Sequence, residues 1–194
     1  MTSTTANIVG IQMAQARKVI IGGRAVMTAI HKTSVDGAVA VGPLGLQGDE
    51  QADLTVHGGL DKAVYAYPAE HYDFWREARA RAGVGGIDDT LPFGAMGENL
   101  TLQGLLESDL WIGDVLQFPD CVLRVSQPRQ PCFKFNAAMG FNQAAKVMAQ
   151  SGLCGFYLAV DAPGTLRAGD ACTVVPASRQ VSIPQRFQSI MFRG

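Results

Sequence analysis

The segment SQPRQPCFKF, residues 126–135, places Cys132 directly after Pro131, with Arg129 three residues before it and Lys134 two after. Pro128 and Pro131 fix their own φ angles and push Gln127 and Gln130 toward extended conformations, so the thiol sits on a stiff stretch behind the strand-like run CVLRVS. Arg129 and Lys134 favour thiolate over thiol if their side chains approach the sulfur, and the thiolate is the form that binds soft metals and attacks electrophiles. The competing reading is a buried strand-end cysteine with solvated flanking charges, and spacing alone leaves both open.

Two further clusters could hold a ligand. In GLQGDEQADLTVHGGLDKAVYAYP, residues 45–68, glycines including Gly58 and Gly59 let the backbone approach a bound group closely. His57 and Lys62 in that block could hydrogen-bond an anionic cofactor, although a histidine at a strand end serves structure equally well. In FGAMGENLTLQGL, residues 93–105, Asn99 follows Glu98 ahead of a short apolar segment and could close a turn or offer its amide to a ligand. Neither block has the glycine spacing and long following helix of a P-loop or dinucleotide fingerprint. A nucleophile elbow, an HExxH helix and a paired-cysteine metal cluster are also missing from the sequence.

These residues need a scaffold, and short runs rich in valine and isoleucine supply one. ANIVGIQ, KVIIGG, AVMTAI, AVYAYP, DVLQF, CVLRVSQ, GFYLAV and CTVVP are punctuated by Gly, Pro and Asp. They read as strands of a mostly β fold with peripheral helices, its sheet closing on itself as a barrel. Gly22 and Gly23 between two such runs signal a hairpin. The Gly-Asp pairs of IGDVLQF, 112–118, and AGDACTV, 168–174, mark tight turns in which Asp bonds the local backbone. A helix is expected over 68–83, with Pro68 in its first turn, Gly83 as its stop, and Tyr72, Trp75, Ala78 and Ala82 on one packing face. A second should cover NQAAKVMAQSG between an Asn142 cap and Gly152. A third, short helix should follow Ser182 with Phe187, Ile190 and Met191 on its apolar side. The expected division is a barrel domain over 1–177 and a short linker with a helical tail over 178–194.

A chain of 194 residues, 47% of them hydrophobic, can bury one sizeable core. The 17 acidic residues nearly balance the 16 basic ones, so no global field draws the protein onto a nucleic acid polymer or an anionic membrane, and any anion site must be local. No apolar run reaches the roughly 20 residues of a membrane span. The N-terminus lacks the basic start and continuous apolar stretch of a signal peptide, so a cytoplasmic location is expected. Cys121, Cys154 and Cys172 sit beside apolar residues and read as buried small hydrophobes.

Three blocks in order, GDEQADLTVHGGLDKAVYAYPAEHYDFW, GENLTLQGLLESDLWIGDVLQF and VSQPRQPCFKFN, resemble the MOSC-domain proteins and, within them, the YiiM-type group. The resemblance implies a twisted β-barrel carrying a molybdenum cofactor (molybdopterin), with the cysteine of the Arg-x-Pro-Cys segment as the protein thiolate on molybdenum, a role that falls on Cys132. It implies a molybdenum-dependent oxidoreductase that reduces N-hydroxylated compounds such as hydroxylamino-purines. Electrons would come from a separate reductase, because the sequence holds neither a flavin fingerprint nor iron–sulfur cysteine spacing. Arg129, Lys134, His57, Lys62 and the Gly58-Gly59 backbone are candidates to hold the pterin phosphate, with Asn99 in a matching block. Two other readings stay open. One is a module that stores or delivers the cofactor, or carries sulfur on Cys132; the other is a barrel that binds protein partners through SIPQRFQSIMFRG. YiiM-type proteins commonly continue past the barrel into a helical region, whereas a short tail follows Ala177 here. The oligomeric state is left open by the pattern.

Overall fold

In the run Val64–Pro68, Val64 and Ala66 enter one apolar core while Tyr65 and Tyr67 enter a second, the two-residue alternation of a strand buried on both faces. The computed structural model describes residues 4–52, 58–86 and 88–192. Its strands, in chain order, begin with β1 (Thr5–Met13), β2 (Arg17–Ile21), β3 (Arg24–Thr28), β4 (Thr33–Ser34), β5 (Val39–Gly42) and β6 (Gly45–Leu46). They continue with β7 (Val64–Pro68), β8 (Leu100–Gln103), β9 (Val115–Gln117), β10 (Val122–Pro128), β11 (Phe156–Ala162), β12 (Gly164–Leu166) and β13 (Ala171–Val175). The helices are α1 (Tyr72–Arg81), α2 (Phe133–Met139), α3 (Ala144–Ser151) and α4 (Ile183–Met191).

Seven strands hydrogen-bond in the order β13-β9-β10-β11-β7-β8-β1, and β1 returns to β13 through Thr5↔Thr173 and Asn7↔Ala171. The expected barrel is therefore present and closed, which leaves it no free edge. Every pair around the ring is antiparallel except β7 with β8. Strand β4 extends β1, while β12-β5-β6 and the hairpin β2–β3 form separate small sheets. The hairpin turns at Gly22 and Gly23 as the sequence suggests, both with positive φ (57° and 77°).

The barrel interior is aliphatic, with Ile8, Leu100, Leu116, Leu123, Leu158 and Leu166 all buried in it. The second cluster lies outside β7 and β11 and is aromatic and sulfur-rich: Tyr67, Trp75, Phe135, Met139, Met148 and Cys154 are fully buried there. Tyr72 and Trp75 bring α1 into this cluster, with Ala78 packed against it, and Gly83 follows the helix with a positive φ of 74°. Both Gly-Asp turns form as expected. Asp114 accepts the N–H groups of Trp111 (3.1 Å) and Ala177 (2.8 Å), and Asp170 accepts that of Arg167 (2.9 Å). Helix α4 starts at a Ser182–Gln185 capping box and buries Ile183 and Phe187, which join the two cores respectively. Among the described residues no helix is long and apolar enough to cross a membrane.

Three local expectations need correction. Pro68 closes β7 in extended conformation (ψ 127°), a 3₁₀ turn covers Ala69–His71, and α1 begins only at Tyr72. Proline fixes φ near the helical value but leaves ψ free, so its presence did not decide between strand end and helix start. Helix α3 begins at Ala144 after Gln143, not at an Asn142 cap. Asn136, in the middle of α2, accepts the Ala145 N–H (2.7 Å) in its place. Helix α2 itself was not foreseen, because seven residues behind two prolines give too short a pattern for periodicity to register.

Candidate functional site

Strand β10 carries the Pro-rich segment to the barrel rim, where Pro128 still pairs with Phe156 of β11. Beyond it, Arg129 donates its N–H to the carbonyl of Gly155 (3.5 Å). Gly155 gives its own N–H to buried Glu107 (2.7 Å), whose second oxygen meets His71 Nε2 (2.7 Å). After Pro131 the chain stays extended at Cys132 (φ −137°, ψ 171°), and the Cys132 carbonyl accepts the Phe135 N–H (2.9 Å) as α2 begins. The thiol thus sits at a strand-to-helix corner held from both sides. It is half-buried, whereas Cys121, Cys154 and Cys172 are buried. Burial raises those three thiols, Cys121 to about 12, Cys172 to about 11 and Cys154 well above the ordinary range, so they behave as the small hydrophobes expected.

Cys132 opens onto a cleft enclosing about 630 Å³ of space, its solvent-open mouth included. Arg129, Lys62, Lys134 and Asn99 line the same cleft, so five of the eight residues singled out in the sequence come together. Gly58 and Gly59 are not in the lining: Gly59 donates its N–H to Gln51 Oε1 (3.0 Å), and it is Gln51 that faces the cleft. His57 lies outside the described residues. Asn99 lines the wall, but its side chain is committed elsewhere. Its Oδ1 accepts the Tyr65 N–H (3.1 Å), and its Nδ2 donates to the Gln12 carbonyl (3.2 Å) and to Asp49 (2.8 Å). An amide has two N–H groups, so none is left for a ligand, and Asn99 acts as a clamp between β1 and β7. Glu98 beside it is fully buried and accepts from Gly94 (2.7 Å), Met96 (3.1 Å), Thr101 (2.9 Å) and the Tyr72 hydroxyl, which fixes the loop.

Arg129 is the unusual group. Its residue is 5% exposed, its guanidinium lies over the rings of Tyr65 (5.2 Å) and Phe135 (4.8 Å), and Nη1 reaches Met148 Sδ (3.8 Å). Among the described residues no carboxylate lies within ion-pair reach of it. Burial pulls its pKa down, but Tyr65, Tyr157 and Cys132 together push it above the ordinary value, so it stays cationic. Lys134 donates to the Met27 carbonyl (3.1 Å), and the Lys62 ammonium stands 5.9 Å from the Tyr157 ring centroid.

Sequence reasoning missed Lys32, Asp49, Tyr65 and Tyr157, all of which line the cleft. Lys32 and Asp49 form a nearly buried ion pair, and Asp49 also accepts the Ala14 N–H (2.8 Å). Burial lowers the Lys32 pKa, with Asp49 acting in opposition. Burial raises both tyrosines, so they remain neutral hydroxyls. The alternation in VYAYP was the available signal for Tyr65, whereas Lys32 sits in a stretch with no pattern at all.

The arrangement gathers one accessible sulfur, one buried cation with no carboxylate partner among the described residues, and two lysines. That is a donor set for a soft metal with an anionic appendage. In comparison with known proteins, a MOSC domain family model matches residues 53–173. The chain is 38% identical over 159 residues to Protein YiiM of Escherichia coli, covering 81% of this chain and 68% of that one. It is 32% identical over 166 residues to a Gibberella moniliformis protein named Reductase, covering 85% of this chain but 28% of that one. The crystal structure of YiiM from Geobacillus stearothermophilus superposes with a TM-score of 0.75 at 32% identity, covering 97% of this chain and 85% of that one.

Proposed function

We propose, from the premise that this chain belongs to the MOSC domain family and so has a molybdenum-cofactor-related function, that it is a reductase of N-hydroxylated compounds such as hydroxylamino-purines. The observation that carries the reading is Arg129: a cation buried without a carboxylate among the described residues, in the same cleft as the half-buried thiol of Cys132. Burying an unpaired charge costs several kcal/mol, roughly, and such a site makes sense where a bound anion completes it. The residues present therefore fit the cofactor. When bound, it would supply the two-electron redox chemistry that the reduction of an N–OH group needs.

The chain's own residues do the rest. Cys132 offers a soft anionic sulfur on a corner fixed by Pro131 and by the start of α2. Arg129, Lys62 and Lys134 would hold the anionic part of the cofactor, and the rings of Tyr65 and Tyr157 form an apolar, neutral lining that limits water. Reducing R–NHOH to R–NH₂ and water takes two electrons and two protons. We assign proton delivery to Lys32, whose ammonium is drawn toward release by burial and held in place by Asp49. Electrons are assigned to a separate donor. The relative named Reductase contains the matched region within a much longer chain, which supports a working link to a reductase.

The test is molybdenum analysis of protein made in a host that synthesises the cofactor, with wild type set beside Cys132→Ser, followed by turnover of a hydroxylamino-purine with an artificial electron donor. Near-stoichiometric molybdenum that is lost in the folded variant, together with donor-dependent amine formation, is expected. A folded wild type without molybdenum, or full turnover by Cys132→Ser, overturns the reading.

A further inference from the structure

A buried acid lies behind the cleft instead of in it. Glu107 is 5% exposed, and with His71 it lines a second opening that shares no described residue with the cleft. Both of its carboxylate oxygens are taken by groups of the interior: Oε2 meets His71 Nε2 (2.7 Å) and Oε1 accepts the Gly155 N–H (2.7 Å). His71 in turn stands edge-on to the ring of Tyr67, with 5.7 Å between centroids. Burying a carboxylate is costly, and here both oxygens are spent on fixing neighbours.

The Gly155 N–H belongs to the same peptide unit as the Cys154 carbonyl, which accepts the Tyr65 hydroxyl (2.8 Å). One planar peptide therefore has Glu107 at one end and Tyr65 at the other. A charged acceptor on the N–H polarises the unit and strengthens its carbonyl as an acceptor. The Tyr65 ring lies 5.2 Å from the Arg129 guanidinium, and burial keeps its hydroxyl protonated, so it stays a donor to that carbonyl. The next carbonyl, that of Gly155, accepts the Arg129 N–H (3.5 Å). The peptide has little room to shift, since a Cβ on Gly155 would meet the Ala66 carbonyl oxygen at 2.6 Å and Tyr65 Cε2 at 2.8 Å.

We infer that Glu107, oriented by His71, is a positioning residue for the Arg129 cation: through the Cys154–Gly155 peptide it fixes the Tyr65 ring and the backbone against which the guanidinium rests. The inference rests on the reductase reading above, in which Arg129 holds the anionic part of the cofactor. Arg129 has no carboxylate partner among the described residues, and ring faces attract a cation without setting where its N–H groups point. Its direction therefore depends on how the rings themselves are held. Glu107 faces away from the cleft and acts on the cation only through this peptide.

Three variants test the role. Glu107→Gln keeps a side-chain oxygen for the Gly155 N–H, Glu107→Met has similar length and no such acceptor, and Tyr65→Phe keeps the ring but frees it from the peptide. The readout is the Arg129 Nε–Hε signal in nuclear magnetic resonance spectra of cofactor-free protein carrying nitrogen-15-labelled arginine, identified by its absence from Arg129→Met. In wild type that signal should be displaced by the rings of Tyr65 and Phe135 and should exchange slowly with solvent. Glu107→Gln should keep both properties. Glu107→Met should move the signal toward those of the exposed arginines and speed its exchange about tenfold, and Tyr65→Phe should do the same to a smaller degree. Molybdenum retained per folded protein should match wild type in Glu107→Gln and fall about tenfold in Glu107→Met. An Arg129 signal unchanged in Tyr65→Phe, or in a folded Glu107→Met that merely melts lower, overturns the positioning role, as does a Glu107→Gln variant whose signal is no longer displaced. Should Glu107→Met not fold, Tyr65→Phe decides alone. Absence of molybdenum from wild type overturns the reductase reading and the purpose given to this arrangement, whereas the arginine signal tests the arrangement itself without the metal.

Discussion

Replacing Arg129 by Met tests whether the buried cation exists for a ligand or for the fold. In the cofactor-free protein the substitution removes two cation–ring contacts, at 5.2 and 4.8 Å. Desolvated contacts of this kind contribute about 2 kcal/mol each, so about 4 kcal/mol is lost. It also removes the several kcal/mol, roughly, that an unpaired buried charge costs, and Met fills the space of the stem with an adaptable chain. The two effects oppose, which leaves the stability of the cofactor-free protein within about 2 kcal/mol of wild type, or a melting shift under about 8 °C for a chain of this length. Binding of an anion behaves differently. A guanidinium that donates two charge-assisted hydrogen bonds contributes about 3–6 kcal/mol, so retention of the cofactor should fall by at least about a hundredfold. The assay is a pair of melting curves, from hosts with and without cofactor synthesis, joined to molybdenum analysis. Wild type should melt higher when loaded, because a ligand that binds only the folded state stabilises it, and that difference should vanish in Arg129→Met. A variant that keeps wild-type molybdenum, or one whose cofactor-free form melts more than about 10 °C lower, would refute the assignment and make Arg129 a packing residue.

Three further outcomes follow from the same geometry. Cys154→Ala should keep its molybdenum while losing about 1–2 kcal/mol of stability by denaturant titration, because Cys154 is fully buried in the aromatic cluster and points to no ligand; molybdenum loss would show that the wrong cysteine had been chosen. Burial holds Cys172 at about 11 and Cys121 at about 12, above the value of about 8.5 expected in the unfolded chain. Folded pKa values raised in this way give stability that is complete below about pH 8.5 and is lost as pH climbs toward the folded values, so the denaturation midpoint should fall between about pH 8.5 and 11, and less steeply in Cys172→Ala; an equal slope would count against the thiol as a source. Gly155→Ala should cost more than about 3 kcal/mol in thermal unfolding, since Gly155 has φ 65° and an added Cβ would meet the Ala66 carbonyl oxygen at 2.6 Å and Tyr67 Cδ2 at 2.7 Å. A variant that melts like wild type would mean that the loop can move away from β7.

The strands were legible because each carries its own period and ends at Gly, Pro or Asp; ANIVGIQ, AVYAYP, CVLRVSQ and GFYLAV all became barrel strands. Legibility ended where partners come from afar. The Ala145 N–H is capped by Asn136, nine residues back, and no local rule reaches that far. Asn99 looked like a free amide in its loop, yet its three hydrogen-bond partners lie in Gln12, Asp49 and Tyr65, each more than thirty residues away in the chain. At the site, the stiffness and basic setting of Cys132 could be read from its neighbours, since proline acts on adjacent residues. Lys32 and Asp49 could not, because an ion pair across 17 residues leaves no spacing to recognise.

The division of the interior into two cores explains why one cysteine of four became available. Cys121 and Cys172 belong to the barrel core and Cys154 to the aromatic cluster, and each of those positions excludes water. Strand β10 ends at the boundary between them. Val125 still points into the aliphatic barrel, whereas four residues later Arg129 is set against Tyr65 and Phe135 of the other cluster. An aliphatic core offers nothing to a cation, but the faces of aromatic rings do, so only the second cluster can accept a buried guanidinium. The chain must then leave that boundary to reach α2, and it does so extended at Cys132 (φ −137°, ψ 171°), which brings that thiol into the cleft that Arg129 also lines instead of into either core. Moving the cysteine one position either way should separate thiol from guanidinium. Exchanging Pro131 and Cys132 should therefore leave the barrel intact but abolish molybdenum retention, and a swapped protein that still held the metal would show that the sulfur's place on this corner does not matter.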